Sequence, residues 1–224
     1  MDPTPNGDGA PPEPSIGRLH VITDYHLQQR MSHAELARLA IRGGADSIQF
    51  RQKHGNIRNV LLAAHDAKQA CTESSLPLIV DDRVDVAQAV EAQGVHLGQR
   101  DFPIAEARRL LAPGVVIGAT CTTASQAARA EAEGANYIGF GPVFETRSKR
   151  NPKTVKGLGG LQQACDAVSV PVIAIGGITH DRVRAILDAG AHGIAVLSAV
   201  ATATHPERAT ARFRAAIDGA LRDD

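Results

Sequence analysis

From residue 18 onward, short apolar runs alternate with longer amphipathic segments. A run of about four to eight apolar residues between turn residues is typical of a buried strand, and apolar residues spaced three and four apart are typical of a helix. The predicted strands cover residues 19–23, 46–50, 77–80, 94–97, 115–120, 136–140, 171–175 and 192–197. The predicted helices cover residues 32–42, 56–73, 84–93, 104–111, 124–134, 158–168, 181–189 and 206–221. Eight strand–helix pairs of about 25 residues each predict an α/β fold, a (β/α)8 TIM barrel.

Chain length and the glycine pattern support one barrel. The helix-to-strand junctions repeat GGAD at 43–46, AQGV at 92–95, EGAN at 133–136 and AGAH at 189–192, where glycine suits the left-handed residue that ends a helix. An open doubly wound sheet is the alternative, although it usually has fewer strands or more residues. Residues 1–17 hold five of the 12 prolines and few large apolar side chains. We therefore expect a flexible leader over 1–17 and a single catalytic domain over 18–224.

Composition limits the classes of partner. With 24 basic and 24 acidic residues the chain has no net charge, and aromatic residues make up only 3%, so neither nucleic acid nor a membrane surface is an expected partner. Three widely spaced cysteines argue against a disulfide framework or a zinc site and favour a reducing, cytoplasmic location. No apolar run is long enough to cross a bilayer. The sequence leaves the oligomeric state open, and a homo-oligomer is compatible with it.

Polar side chains collect where the predicted strands end, which is where barrel enzymes carry their chemistry. Gln49, Arg51 and Lys53 alternate along the end of the second strand and therefore project to one face. Two cations and an amide at one place suit a multiply charged anion. The alternative is that Arg51 and Lys53 are ordinary surface residues that follow a strand.

Two aspartates follow the neighbouring strands. Asp82 follows the third strand and Asp101 follows the fourth, so the two carboxylates are expected to lie close together. Mg²⁺ is a natural ligand for such a pair, since it accepts one or two carboxylates and takes its other oxygens from water and substrate phosphate. The alternative is that Asp82 caps the helix that starts near Val84.

A second anion site is predicted after the last strands. Gly176-Gly177 and Leu197-Ser198 follow the seventh and eighth strands, where backbone N–H groups of barrel enzymes often hold a phosphate. A plain tight turn is the alternative for the glycine pair. The polar segment after the sixth strand adds Thr146, Ser148 and Lys149 and is expected to form a flap over bound ligand.

From Leu19 to Ser198 the chain resembles the thiamine phosphate synthase family, which includes the related thiazole tautomerases. The matching motifs are HVITD, QFRQK, DDRVDVA, GVHLGQRD, GFGPVFETRSK, AIGGI and GIAVLSA. The resemblance implies a transferase that joins a hydroxymethylpyrimidine diphosphate to a thiazole phosphate and releases pyrophosphate, with both phosphorylated molecules as its small-molecule partners. It implies catalytic roles for Arg51, Lys53, Thr120 and Lys149 and a Mg²⁺ site at Asp82 and Asp101. It implies substrate contacts from Gln49, Phe50, Arg51, Gln52, Lys53, Asp81, Thr120, Thr146, Arg147, Ser148, Lys149, Gly177, Leu197 and Ser198.

Four positions depart from the family pattern. Asp81 stands where Asn is usual, Gln52 where Glu is usual, and Thr120 where Ser is usual. An extra carboxylate at Asp81 would either repel a diphosphate or join the metal site. Thr122 occupies a position where synthases and tautomerases typically carry His, and threonine is a poor general base for the tautomerase reaction. VFET at 143–146 looks more like the tautomerase branch, so a tautomerase and a non-catalytic phosphate-binding relative remain as alternatives.

Overall fold

The computed structural model describes residues 16–146, 148 and 154–222 of the chain. Eight parallel strands pair in chain order and close on themselves, with the first strand hydrogen-bonded to the last. The strands are β1 Leu19–Asp24, β2 Ser47–Arg51, β3 Leu78–Asp81, β4 Gly94–Leu97, β5 Val116–Cys121, β6 Tyr137–Phe140, β7 Val172–Ile175 and β8 Gly193–Val196. The predicted (β/α)8 barrel is confirmed, and the open-sheet alternative is excluded by the closure.

Helices cover the outside of the barrel. They are α1 His33–Arg42, α2 Ile57–Thr72, α3 Val84–Ala89, α4 Ile104–Leu110, α5 Ala124–Ala132, α6 Gly157–Asp166, α7 Val183–Asp188, α8 Ser198–Ala201 and α9 Pro206–Arg222. Ser32, Asn56 and Thr123 start α1, α2 and α5, each accepting a backbone N–H three residues ahead. The sequence pattern did not predict α8, because a four-residue helix contains no full period.

One junction differs from the predicted glycine pattern. Gly44, Gly134 and Gly190 have positive φ, as expected of residues that follow a helix. After α3 it is Glu91 that has positive φ, at 51°, and Gly94 lies inside β4 instead. A Cβ at Gly94 would come within 3.0 Å of the Val116 carbonyl oxygen, so this glycine allows close approach of β4 and β5.

Strand alternation separates two layers of side chains. On β1 and β2, Thr23 and Phe50 face α1: the Thr23 hydroxyl lies 2.6 Å from His33 Nδ1, and the Phe50 ring centroid lies 4.4 Å from that of His33. The intervening residues, including Asp24, Gln49 and Arg51, face the barrel axis. This layer carries the polar groups at the carboxyl ends of the strands.

Asp46 ties the start of the barrel to its last helix. Its Oδ2 accepts hydrogen bonds from the backbone N–H groups of Arg18 and Leu19, both at 2.8 Å, and lies 3.0 Å from Arg214 NH1 of α9. Ile16 also contacts the barrel, because His192 Nε2 lies 2.7 Å from its carbonyl oxygen. Residues 1–15 of the predicted leader lie outside the described residues, and the leader stays a prediction.

Within the described ranges, no helix combines the length and the apolar character needed to cross a membrane.

We expect Asp46→Ala to lower the free energy of unfolding by about 2–4 kcal/mol, because two backbone donors and one guanidinium lose a shared acceptor. Asp218→Ala is the matched control, since Asp218 pairs with the same arginine at 3.1 Å from a half-exposed position. This control should change stability by less than about 1 kcal/mol. Urea unfolding of both variants measures the difference, and equal losses would contradict the assigned role of Asp46.

Candidate active site

Arg51 is held between two carboxylates at the mouth of the barrel. Its NH1 contacts Asp24 Oδ2, and its Nε lies 3.3 Å from Asp81 Oδ2. Asp24 is 2% exposed, so this ion pair is largely removed from water. Gln49 completes the group by donating from Nε2 to Asp81 Oδ1 at 2.7 Å. The ends of β1, β2 and β3 are thereby joined through one fixed guanidinium.

Lys53 extends this charged group toward β4. Its Nζ contacts Asp82 Oδ2 and lies 4.0 Å from Asp81 Oδ2. The Lys53 side chain is 40% exposed, compared with 18% for Arg51. Gln49, Arg51 and Lys53 therefore lie together, as the sequence predicts. Arg51 is held in place by its ion pairs, whereas Lys53 is accessible from solvent.

Asp82 does not cap the following helix. The residue before α3 is Arg83, whose side chain makes no capping hydrogen bond. Asp82 has a positive φ of 63°, and its backbone N–H donates to the His96 carbonyl oxygen at 2.8 Å. Aspartate tolerates this left-handed conformation better than most residues do. In this turn the carboxylate contacts Lys53, and the capping alternative is not realised.

Asp101 lies close enough to Asp82 for the negative charge of Asp82 to affect its pKa. Burial raises the pKa of Asp101, and so do a hydrogen bond and the negative charge of Asp82. The Gly98 N–H donates to Asp101 Oδ2 at 2.7 Å and, with the charge of Lys53, acts in the opposite direction. Across the part of the chain that is described, no group of three or more His, Cys, Asp or Glu side chains could hold a metal ion. A pair of carboxylates is nevertheless the protein contribution that Mg²⁺ often has.

Thr120 lies on β5, beside a histidine whose contacts the sequence did not predict. His96 Nε2 is 2.8 Å from Thr120 Oγ1, and His96 Nδ1 is 2.9 Å from the Tyr137 hydroxyl. The sequence pattern assigns no role to either ring: His96 lies in the predicted strand 94–97 and Tyr137 in the predicted strand 136–140. Polar pairing inside a barrel depends on the register between strands, which a single sequence does not reveal.

Three hydroxyl groups meet at the far side of the mouth. Ser148 Oγ donates to Ser198 Oγ at 2.9 Å, and Thr146 Oγ1 donates to Ser148 Oγ at 3.3 Å. Leu197 directly precedes α8, which Ser198 begins. These predicted residues come together across the loop after β6 and the end of β8.

Gly177 lies next to this group for a conformational reason. Its φ is 64°, and a Cβ there would lie 2.3 Å from the Glu145 carbonyl oxygen. The tight-turn interpretation is therefore sufficient to explain a glycine at this position, whether or not a phosphate binds beside it.

Other predicted site residues lie elsewhere. The Phe50 ring is 1% exposed and packs on His33. Gln52 also lies on the α1 side, beside His33, whose pKa burial lowers to about 4. The structure does not bring either side chain to the charged group, because alternation turns residues 50 and 52 away from 49, 51 and 53. Arg147 and Lys149 fall outside the described residues.

Comparison with known proteins agrees with this geometry. The family model for thiamine monophosphate synthase matches residues 19–200. A thiamine-phosphate synthase of Salinibacter ruber is 66% identical over 218 residues, which cover 97% of this chain and 96% of the relative. One from Methanocella arvoryzae is 44% identical over 199 residues, or 89% of this chain and 94% of the relative.

A solved structure gives the same result. Thiamine phosphate pyrophosphorylase from Pyrococcus furiosus superposes with a TM-score of 0.83 at 41% identity, covering 91% of this chain and 96% of that one. The sequence-based prediction of thiamine-phosphate synthase, a transferase, is confirmed over its tautomerase alternative by these matches. The chain belongs to the thiamine monophosphate synthase family.

Proposed function

We propose that this chain joins hydroxymethylpyrimidine diphosphate to thiazole phosphate in a Mg²⁺-dependent reaction that forms thiamine monophosphate and releases pyrophosphate. The bond between the pyrimidine methylene carbon and the diphosphate oxygen breaks, and its electron pair leaves with pyrophosphate. The thiazole nitrogen supplies the electron pair of the new C–N bond. The observation that carries the proposal is the charged group around Arg51, Lys53, Asp82 and Asp101.

The balance of charge in this group supports a divalent cation. Among the described residues, four carboxylates, those of Asp24, Asp81, Asp82 and Asp101, meet two cations, Arg51 and Lys53. A site with an excess of negative charge would repel a diphosphate. Asp82 and Asp101 would hold Mg²⁺, whose two positive charges would balance these two carboxylates and remove the excess negative charge that opposes diphosphate binding.

Arg51 and Lys53 have different tasks in this proposal. Arg51 is fixed between Asp24 and Asp81, so its guanidinium would donate hydrogen bonds to the diphosphate from a fixed position. Lys53 is more exposed, so its ammonium can turn from Asp82 to the leaving diphosphate. The fixed positive charge of Arg51 lowers the barrier, because it need not reorganise when negative charge develops on the leaving group. Thr120 would donate to the same diphosphate.

The group of hydroxyls would bind the thiazole phosphate. Thr146, Ser148 and Ser198 already share hydrogen bonds, and their donors can be redirected to phosphate oxygens. Backbone groups at Gly177 and Leu197 would complete this site. By resemblance, Lys149 would neutralise the departing pyrophosphate and Arg147 would contact substrate; both residues lie outside the described part of the chain.

Thr122 disfavours proton-transfer chemistry of the tautomerase kind. Its hydroxyl donates to Gln126 Oε1 at 3.1 Å, and the same oxygen accepts its backbone N–H at 2.8 Å. A hydroxyl group is a poor general base at neutral pH, and this one donates its hydrogen to a neutral amide that does not activate it. We also infer a cytoplasmic location, which agrees with three free thiols at Cys71, Cys121 and Cys165.

We expect Asp82→Asn to reduce pyrophosphate release at least about 100-fold, because one of two charged metal ligands is lost. The assay contains both phosphorylated substrates and Mg²⁺, and EDTA should abolish the activity of the unaltered protein. Asp85→Asn is the matched control, because Asp85 is three residues away, exposed and paired with Arg83. Full activity in EDTA would refute the metal-dependent reaction.

Metal binding can be measured without turnover. Mg²⁺ should raise the unfolding temperature of the unaltered protein and have little effect on Asp101→Asn. Without metal at neutral pH, the variant should be more stable by up to about 1 kcal/mol, since a repulsive carboxylate is removed.

The pH dependence has a definite sign. Because the pKa of Asp101 is raised by folding, the repulsion is fully present above that pKa and is lost below the ordinary carboxyl value. The stability advantage of Asp101→Asn should therefore shrink as the pH falls. An advantage that grows toward acid would contradict the assigned interaction.

Ser198→Ala should raise the KM for the thiazole phosphate about tenfold and leave the KM for the pyrimidine diphosphate within about twofold, because one phosphate donor is lost. Thr202→Ala is the control, since the Thr202 hydroxyl donates back to the Ser198 carbonyl oxygen, at 2.8 Å. Steady-state kinetics with each substrate varied in turn distinguishes the two effects. An equal rise in both KM values would show that Ser198 supports the pocket generally.

A further inference from the structure

His96 lies inside the barrel with both ring nitrogens at hydrogen-bond distance from side chains. Its residue exposure is 8%, and its two oxygen neighbours lie on different strands: Tyr137 on β6 at 2.9 Å from Nδ1, and Thr120 on β5 at 2.8 Å from Nε2. A neutral imidazole has one donor and one acceptor nitrogen. The direction of one hydrogen bond therefore fixes the direction of the other.

Tyr137 has the properties of a permanent donor. It is 2% exposed, and burial together with the negative charge of Asp81 raises the pKa of its phenol. The phenol consequently keeps its hydrogen throughout the neutral range. A buried hydroxyl group needs a partner for that hydrogen, and His96 Nδ1 lies at a suitable distance.

Two glycines provide the space for this pair. A Cβ at Gly118 would lie 2.1 Å from Tyr137 Cζ and 2.5 Å from His96 Nδ1. A Cβ at Gly139 would lie 2.8 Å from His96 Cε1. No other residue fits at either interior position without displacing the rings. The barrel is thus built to hold the imidazole in one orientation beside Thr120.

We propose that His96 is a positioning residue for Thr120. Tyr137 donates to His96 Nδ1, the Nε2–H of His96 donates to Thr120 Oγ1, and the hydrogen of the Thr120 hydroxyl is thereby directed away from His96 toward the mouth of the barrel. The proposal rests on the proposed function in one respect, namely that the leaving diphosphate lies in front of Thr120.

An oriented donor should act mainly on the rate of the chemical step. The leaving oxygen gains negative charge only as its bond to carbon breaks. A hydrogen bond from Thr120 to this oxygen therefore becomes stronger as the reaction proceeds. Disordering that hydrogen should lower kcat and leave the KM values almost unchanged. A loss of packing would instead lower the stability and affect both constants.

Tyr137→Phe tests the relay because it keeps the ring and removes the donor. We expect kcat to fall about tenfold, with both KM values within about twofold. Thr120→Val removes the hydroxyl that the relay orients, so adding Tyr137→Phe to Thr120→Val should cause no further fall in kcat. Tyr25→Phe is the matched control, since Tyr25 is the other tyrosine of the chain and is 61% exposed.

The tautomer of His96 can be observed directly in the protein without substrates. In ¹⁵N-histidine NMR spectra, assigned by the signal that His96→Asn removes, we expect the Nε2–H tautomer in the unaltered protein and a mixture in Tyr137→Phe. A Nδ1–H tautomer or a doubly protonated ring in the unaltered protein overturns the proposal. So does an undiminished effect of Tyr137→Phe in the Thr120→Val background. Failure of the proposed function would appear separately, as absent pyrophosphate release with an unchanged tautomer.

Discussion

The contact of Arg51 with Asp24 and Asp81 is the constraint on which the mouth of this barrel depends. It joins the ends of β1, β2 and β3 in a place where Asp24 is almost completely buried. Charges taken out of water are stable only while they stay paired, so each of the three side chains fixes the other two. The position of Arg51 is therefore set by the protein itself, and Lys53, Asp82 and Asp101 are arranged outward from it.

Polarity rises along the barrel axis from the amino to the carboxyl ends of the strands. His20 near the start of β1 is neutral at physiological pH, because burial lowers its pKa to about 4, and its ring lies 5.5 Å from that of Tyr137. His96 comes next along the axis, and Thr120 follows at half-buried depth. The charged residues at the mouth lie beyond them, at the carboxyl ends of the strands. Neutral groups with defined hydrogen bonds thus fill the barrel interior beneath the charged residues at the carboxyl ends of the strands.

Alternation of apolar and polar residues was sufficient to predict the strands and the common direction of Gln49, Arg51 and Lys53. It also implies that residues 50 and 52 face α1, so their side chains point away from the charged group, and the substrate contacts that the family resemblance implies for Phe50 and Gln52 stay a prediction. Side-chain contacts between different strands could not be predicted from the sequence. Asp24 as the partner of Arg51, and Tyr137 as the partner of His96, both depend on register, which a closed barrel fixes through all eight strands together. The left-handed turn at Asp82 has one contact of each kind: the Arg83 N–H donates to the Asp81 carbonyl oxygen at 2.8 Å, and the Asp82 N–H donates to the His96 carbonyl oxygen of β4, also at 2.8 Å. Only the second contact depends on the register between strands.

Asp81 illustrates how the structure resolves a question that the sequence left open. Its Oδ1 accepts from Gln49 at 2.7 Å, and its Oδ2 lies 3.3 Å from Arg51 Nε. An asparagine could keep the first contact but would turn an NH₂ group toward the guanidinium, where two donors repel. The Asp81 carboxylate therefore pairs with the cations and fixes the position of Arg51. Asp82 and Asp101 form a separate pair of acidic residues. The additional charge is balanced by Arg51 inside the protein, and Asp81 in turn holds the Arg51 side chain in its orientation.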